Sequence, residues 1–327
     1  MAQALAYSTV GNREDITDLI SRVEPENFPL YSSLAKSKAP TNPYQEWQVD
    51  STGEPVFEST PDGSDVTEFE NEAENRERIG NRVQIMRKAW SVGHLQETFS
   101  QSGGVAGVPS EAARSKTLCV LKMKKAIEAL IGSDQDIATA TGGQGDKIRA
   151  LGKFIDATNT DFPAFARTPS ASIGTTSGLT EATFNAVLQS RYLATGDRKK
   201  TILYAGTTLK QAVTNFVRAE SASVGNTYRV QQMAESKTVT LSVNTYDSDW
   251  GMVDVIPDVF LGRTSAGAID TTSKSRGYLI DPDMVTIGFI ENPTTFPLPD
   301  YGGGPRGYVR TIFTLAVKNP SAMAKFA

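Results

Sequence analysis

At 327 residues, 39% hydrophobic and 21% charged, the chain has the make-up of a soluble globular protein of about two domains. Its formal net charge of −4 argues against binding to nucleic acid or a membrane surface driven by overall charge. No run of about 18 apolar residues predicts a membrane helix, and MAQALAYSTVGNRED lacks the basic-then-apolar order of a secretory signal.

The one cysteine, Cys119, excludes an internal disulfide and a multi-cysteine metal site. The one histidine, His94, removes most His-based hydrolytic and zinc chemistries. Cys119 sits in LCVLKMKKAI, where it reads as a core residue rather than the partner of His94 in a nucleophile–base dyad. His94 reads as a surface or satisfied structural histidine.

GNREDITDLISRV predicts a short helix with Asn12 at its N-cap and acids in its first turn. Ile16, Leu19, Ile20 and Val23 fall on one face, either on the chain's own core or as an arm laid on a neighbouring subunit. Pro25 and Pro29 end it. TNPYQEWQVD predicts a strand ending near Asp50, and RVQIMRKAWSV a second over 82–92. About thirty polar residues lie between, with Val56, Phe57, Val66 and Phe69 as their few apolar positions. So long a loop is uncommon inside a compact domain, so a projecting hairpin that takes its order from another surface is expected. The charge is uneven here: positions 46–78 hold 11 of the 37 acids and only Arg76 and Arg78 of the 33 bases, leaving 26 acids and 31 bases elsewhere.

QSGGVAGVPSE reads as a hinge. The longest helix signal follows, over 110–131, about 33 Å long and closed by Gly132 as C-cap. Ala113, Thr117, Val120, Leu121, Met123, Lys124, Ile127, Leu130 and Ile131 trace its apolar stripe. Lys116, Lys122, Lys124 and Lys125 form a basic flank that is either solvated or set against an acidic partner. PSASIGTTSG reads as a polar linker.

From Leu179 helices and strands alternate. LTEATFNAVLQSRYLATG is a helix burying Phe184, Val187, Leu188, Arg191 and Tyr192. TILYAG is a buried strand. TTLKQAVTNFVRA is a helix with Leu209, Val213, Phe216 and Val217 inward. KTVTLSVNTYDSDWGMVDVIPD is a hairpin turning at Asp247-Ser248-Asp249. YLIDPDMVTIGFI predicts a strand pair, and YVRTIFTLAVKNPSAMAKFA one strand with a short tail.

No constellation carries chemistry. The Gly142, Gly143, Gly145 cluster lacks the G-x-x-x-x-G-K-[ST] spacing of a phosphate loop, since Lys147 follows Asp146 and precedes Ile148. Asp247, Asp249 and Asp254 lack the ligand number and terminal Glu of a calcium loop. Glu68, Glu70, Glu72 and Glu74 alternate by two, which suits a strand face meeting a basic surface better than a divalent-ion site. We therefore expect no catalytic, cofactor-binding or metal residues.

The order of parts resembles the major capsid protein of tailed bacteriophages, an α+β chain of the Hong Kong 97-like fold, and more narrowly the podovirus-type capsid family. EDITDLISRVEPENFPLYSSL, YLIDPDMV and RTIFTLAVKNPSAMAKF, with its T-L-x-V-x-N-x-x-A pattern, carry the likeness, which covers nearly the whole chain as an order of elements. It implies an N-arm (1–43), an extended E-loop (44–92), a P domain (93–178) with spine helix 110–131, an A domain (179–290) and a return to the P domain (291–327). The acidic hairpin would strap a neighbouring subunit of the same capsomer. The implied interface is Ile16, Leu19, Ile20 and Val23 on the arm, Phe57, Glu68, Phe69, Glu70, Glu72, Glu74, Arg76 and Arg78 on the loop, and Lys116, Lys122, Lys124 and Lys125 on the spine.

The implied partners are further copies in hexamers and pentamers, portal, scaffolding and possible decoration proteins, and packaged double-stranded DNA met non-specifically, with no membrane. The implied location is the virion, assembled in the host cytoplasm. Between Lys38 and Lys88 there is no lysine, so the Lys–Asn weld of one branch of the fold lacks its nucleophile and a non-covalent shell is expected. The alternatives are an encapsulin-like bacterial compartment shell and a soluble α/β enzyme.

Overall fold

A computed structural model describes residues 25–98, 110–216 and 243–327, apart from positions 54, 56, 68, 70–75, 265, 266 and 270. The expected arm helix with Ile16, Leu19, Ile20 and Val23, and the positions of Glu68, Glu70, Glu72 and Glu74, lie outside the described residues.

In chain order the first elements are α1 (Pro29–Ser33), β1 (Ala35–Ser37), β2 (Tyr44–Val49), β3 (Glu77–Arg82), β4 (Gln84–Ser91), α2 (His94–Thr98) and α3 (Glu111–Ile131). The middle of the chain adds α4 (Leu151–Phe154), β5 (Ile173–Gly174), α5 (Glu181–Thr195), β6 (Thr201–Ala205), α6 (Thr207–Asn215), β7 (Thr245–Ser248) and β8 (Gly251–Pro257). Last come α7 (Thr271–Ser275), β9 (Gly277–Ile280), β10 (Val285–Leu298), β11 (Arg306–Val317) and β12 (Ala324–Phe326). The strands form a four-stranded sheet β1-β10-β11-β4, a six-stranded sheet β5-β12-β9-β6-β8-β7 and the β2-β3 ribbon. The chain divides into two compact units, one from 1–26, 87–123 and 293–310, the other from 27–86, 124–292 and 311–327.

In the first unit, Trp90 and Val309 are buried, and the α3 residue Cys119 reaches the Lys88 carbonyl at 3.4 Å. Glu97 stands at the start of α3, accepting hydrogen bonds from the Ser110 hydroxyl and, at 3.0 Å, the Ala112 N–H. It thereby satisfies donors that a helix leaves unpaired at its N-terminus. Along α3 the buried positions Cys119, Met123, Ile127 and Ile131 recur every four residues, so the buried stripe is narrower than the sequence pattern suggests, with Val120, Leu121 and Leu130 only half-buried.

In the second unit, α5 begins with a reciprocal Thr180–Thr183 cap and ends at Gly196, whose φ of +66° is the left-handed conformation that a helix stop favours. Gly132, expected in the same role, serves another: a Cβ there would lie 2.8 Å from Leu261 Cδ2, so it permits close packing rather than a left-handed turn. The core on the six-stranded sheet centres on Phe184, stacked on Phe326 at 5.5 Å and edge-on to Tyr246 at 5.3 Å. Val187, Leu188, Leu209 and Val213 come from the two helices, as the periodicity predicts.

Four expectations are corrected. The strand at 44–49 pairs antiparallel with 77–82, Tyr44 opposite Arg82 and Val49 opposite Glu77, and not with β4, the 84–91 part of the expected second strand, which joins the four-stranded sheet. YLIDPDMVTIGFI gives the two expected strands but not a pair: β9 belongs to the six-stranded sheet, the turn at Asp281 redirects the chain, and β10 enters the four-stranded sheet. The closing tail is not loose, because β12 pairs with both β5 and β9. PSASIGTTSG is no linker: Ser172 and Thr176 are buried, β5 lies within it, and hydroxyls bond locally, as in Ser172 to Ser190 at 2.9 Å.

Candidate functional site

The candidate site is the far part of the β2–β3 ribbon, whose large apolar side chains stand uncovered by the other described residues. At its base, period-two alternation points Ile79, Asn81 and Val83 inward. Asn81 is 0% exposed and its amide is fully used. Its Nδ2 donates to the Arg149 carbonyl at 3.1 Å and the Leu315 carbonyl at 2.8 Å. Its Oδ1 accepts from the Arg149 N–H at 2.7 Å and the Arg82 N–H at 2.9 Å. The Thr314 hydroxyl adds a bond to the Arg82 carbonyl at 2.8 Å, and Trp47 lies 6.3 Å from the Phe154 ring.

Behind this anchor Arg149 is buried, its guanidinium 4.9 Å from the Phe162 ring centre and paired with Asp136 at 2.9 Å and with Asp161. Arg82 pairs with Asp146 at 3.3 Å and stands over the Tyr44 ring at 5.7 Å. Cation, ring and carboxylate thus alternate along the ribbon's root.

Farther out the character reverses. Among the described residues of 50–76 no strand forms. Phe57 is 97% exposed, Phe69 85% and Val66 71%. Arg76 and Arg78, the two bases of this acidic stretch, pair across the ribbon with Asp50 at 3.4 Å and Glu46 at 3.7 Å. These large apolar side chains, spaced along an acidic loop, make this stretch the candidate surface for a partner.

The four helix lysines do not share one flank. At about 100° per residue, Lys122 and Lys125 fall away from the buried stripe, whereas Lys116 and Lys124 fall within or beside it. Lys116 lies over the Trp90 ring at 5.2 Å, its stem covering apolar surface.

The residues set aside as chemistry have structural partners. His94 Nε2 is 3.0 Å from Asp300 Oδ2. Cys119 is buried, and burial pushes its thiol up, away from nucleophilic use. Asp254 pairs with Lys200 at 2.6 Å. The glycine cluster makes a tight turn closed between Thr141 and Gln144. Among the described residues no group of three or more His, Cys, Asp or Glu is placed to hold a metal, and no helix is long and apolar enough to cross a membrane.

Sequence reasoning missed two buried polar sets. Asn81 had a signal, an amide on the inward face of an Ile–Asn–Val alternation. Glu128 had another, an acid near the C-terminal end of α3, where the helix dipole disfavours negative charge. It is 0% exposed and accepts from the Leu30 N–H at 2.8 Å and the Tyr31 N–H at 2.6 Å. Burial first, then the facing Asp258, push Glu128 up to about 8, and burial pushes Asp258 up to about 6.

Solved structures share this fold. A chain from Mycobacterium phage Ogopogo is similar in structure with a TM-score of 0.59 at 13% identity, over 99% of each chain. The capsid asymmetric unit of cyanophage Pam1 gives 0.55 at 12% identity, over 100% of this chain and 99% of the other. The SrpI encapsulin complex of Synechococcus elongatus gives 0.52 at 10% identity, over 100% and 95%. At such identities the likeness establishes the fold: a mixed helix-and-sheet chain of the kind found in phage capsids, as the sequence resemblance led us to expect. No curated protein matches the sequence. The family model of the SU10 major capsid protein matches residues 3–327, and the chain belongs to that family.

Proposed function

We propose that this chain forms hexamers and pentamers of an icosahedral shell around a double-stranded DNA genome, held together by non-covalent contacts of the 44–92 loop and the N-terminal arm with neighbouring copies. The observation that carries this is the ribbon: bolted at its root through Asn81, it presents Phe57, Val66 and Phe69 to solvent. A neighbouring subunit supplies the cover that the described residues do not. The acidic surplus of 46–78 faces basic surface on that neighbour, with Lys122, exposed and away from the buried stripe, the favoured helix lysine. Each exposed ion pair contributes only about 0–1 kcal/mol, so the apolar anchors carry most of the association. Obligate interfaces of this kind bury about 2,000 Å² or more.

In this reading 1–43 is the arm, 93–178 with its spine helix and 291–327 build the P domain, and 179–290 the A domain. Portal, scaffolding and decoration proteins complete the virion, which assembles in the host cytoplasm, and the protein works as a structural element rather than an enzyme. Electron microscopy of the chain expressed alone tests the proposal. Closed shells or capsomer rings are expected, and a uniformly monomeric particle at high concentration contradicts it. Intact particles should run as single subunits on a denaturing gel, because 39–87 holds no lysine; a covalent ladder would overturn the non-covalent part.

The likeness to an encapsulin supports a second reading, a compartment shell that loads protein. Nucleic acid inside particles recovered from infected cells favours the virus, and protein cargo the compartment.

A further inference from the structure

Glu128 on α3 and Asp258 just after β8 are both buried, 0% and 3% exposed, and within hydrogen-bonding reach of each other. Both Glu128 oxygens are already occupied by the N–H groups of Leu30 and Tyr31 in the first turn of α1. Asp258 Oδ1 accepts the Phe260 N–H at 2.8 Å. Asp258 Oδ2, wholly buried, receives no N–H or O–H donor from any other described residue. Two facing carboxylates in so dry a place repel strongly, and an unmet buried oxygen adds its own desolvation penalty. One proton held between the two groups removes both penalties, and the pair then titrates as a unit.

We propose that Glu128 and Asp258 form a protonation latch, in which one shared carboxyl proton fastens α1 to α3 and to the turn after β8, and whose loss with rising pH releases α1. The other groups around the pair do not titrate in the same range. Burial raises the phenols of Tyr31 on α1 and Tyr204 on β6 above the ordinary tyrosine value. The Tyr204 hydroxyl is also held by Ser33 of α1. Arg263 draws Asp258 down, but less than burial raises it. Both carboxyls stand above their unfolded values of 4.5 and 3.8. The latch therefore holds fully at acid pH and weakens as pH rises towards about 8, with opening favoured about tenfold per pH unit within that window.

Hydrogen exchange of the full-length, unassembled chain tests this, read by mass spectrometry on peptides covering 29–34 and corrected for the intrinsic pH dependence of exchange. Protection of this segment in the natural protein should fall about a hundredfold from pH 5.5 to 7.5. In Asp258→Asn the facing charge is gone and the amide nitrogen donates permanently to Glu128, so the corrected protection should fall much less steeply with pH, and in the double variant Asp258→Asn, Glu128→Gln, which leaves no carboxyl at the site, it should be flat. Glu128→Gln, which leaves Asp258 as the one ionisable member, should also show a shallower slope and serves if the first variant folds poorly. A flat natural protein, or a variant that keeps the natural slope, overturns the latch. The readout is local to α1 in the free subunit, so the result stands apart from whether the chain assembles.

Discussion

At the root of the β2–β3 ribbon, Asn81 makes four hydrogen bonds in a site closed to water, while farther out on the same ribbon Phe57 and Phe69 stand almost wholly in solvent. Both regions place groups where a lone chain gains little unless a partner is supplied: a buried amide needs donors and acceptors, and an exposed phenyl ring needs apolar cover. The root finds its partners inside the subunit, in Arg149, Leu315 and Thr314. The far part finds none among the described residues. On the proposed function the difference separates what folds the subunit from what would join subunits, and substitutions in the two regions should divide along that line.

The largest effect on stability belongs to the root. Asn81→Leu leaves the Arg149 N–H and two buried carbonyls without partners, at about 1–3 kcal/mol for each such group. Denaturant unfolding of the unassembled chain should show a loss of about 4 kcal/mol. Arg149→Met comes next, at about 2 kcal/mol. It removes the stacking on Phe162 and the pairs with Asp136 and Asp161, but those two carboxylates are half exposed and regain water. Arg76→Ala and Arg78→Ala should each change stability by less than about 0.5 kcal/mol, since both ion pairs are solvent-exposed. Their effect should appear in association, as a stronger response to salt in light scattering, because each substitution adds to the net acid charge of the loop.

Much of the fold was legible where one rule governed the residues. The long helix α3, the Gly196 stop of α5, and the inward Phe184, Val187, Leu209 and Val213 all follow from helix periodicity and capping. Strand partners were not legible, since pairing is decided by chain-distant contacts. RVQIMRKAWSV reads as a strand, but nothing local says that it joins β11 while ERIGNR takes the place beside YQEWQV. The polar run PSASIGTTSG misled because hydroxyls bonded locally or to backbone are buried as readily as apolar groups. The outward part of the candidate site was visible as a charge imbalance and a loop too long for a compact domain. Its inward anchor, Asn81, and the Glu128–Asp258 pair were not, because each is explained only by residues far away in sequence.

The central claim, that the exposed phenylalanines of the loop serve assembly and not folding, is tested most directly with the double variant Phe57→Ala, Phe69→Ala. Its unfolding midpoint and the natural protein's should be measured on unassembled chains, and sedimentation velocity and electron microscopy on both at the same high concentration. The account predicts equal subunit stability to within about 0.5 kcal/mol, shells or rings for the natural chain, and dispersed folded subunits for the variant. A variant that assembles as readily as the natural chain, or one that loses stability as an Asn81 variant does, would contradict it.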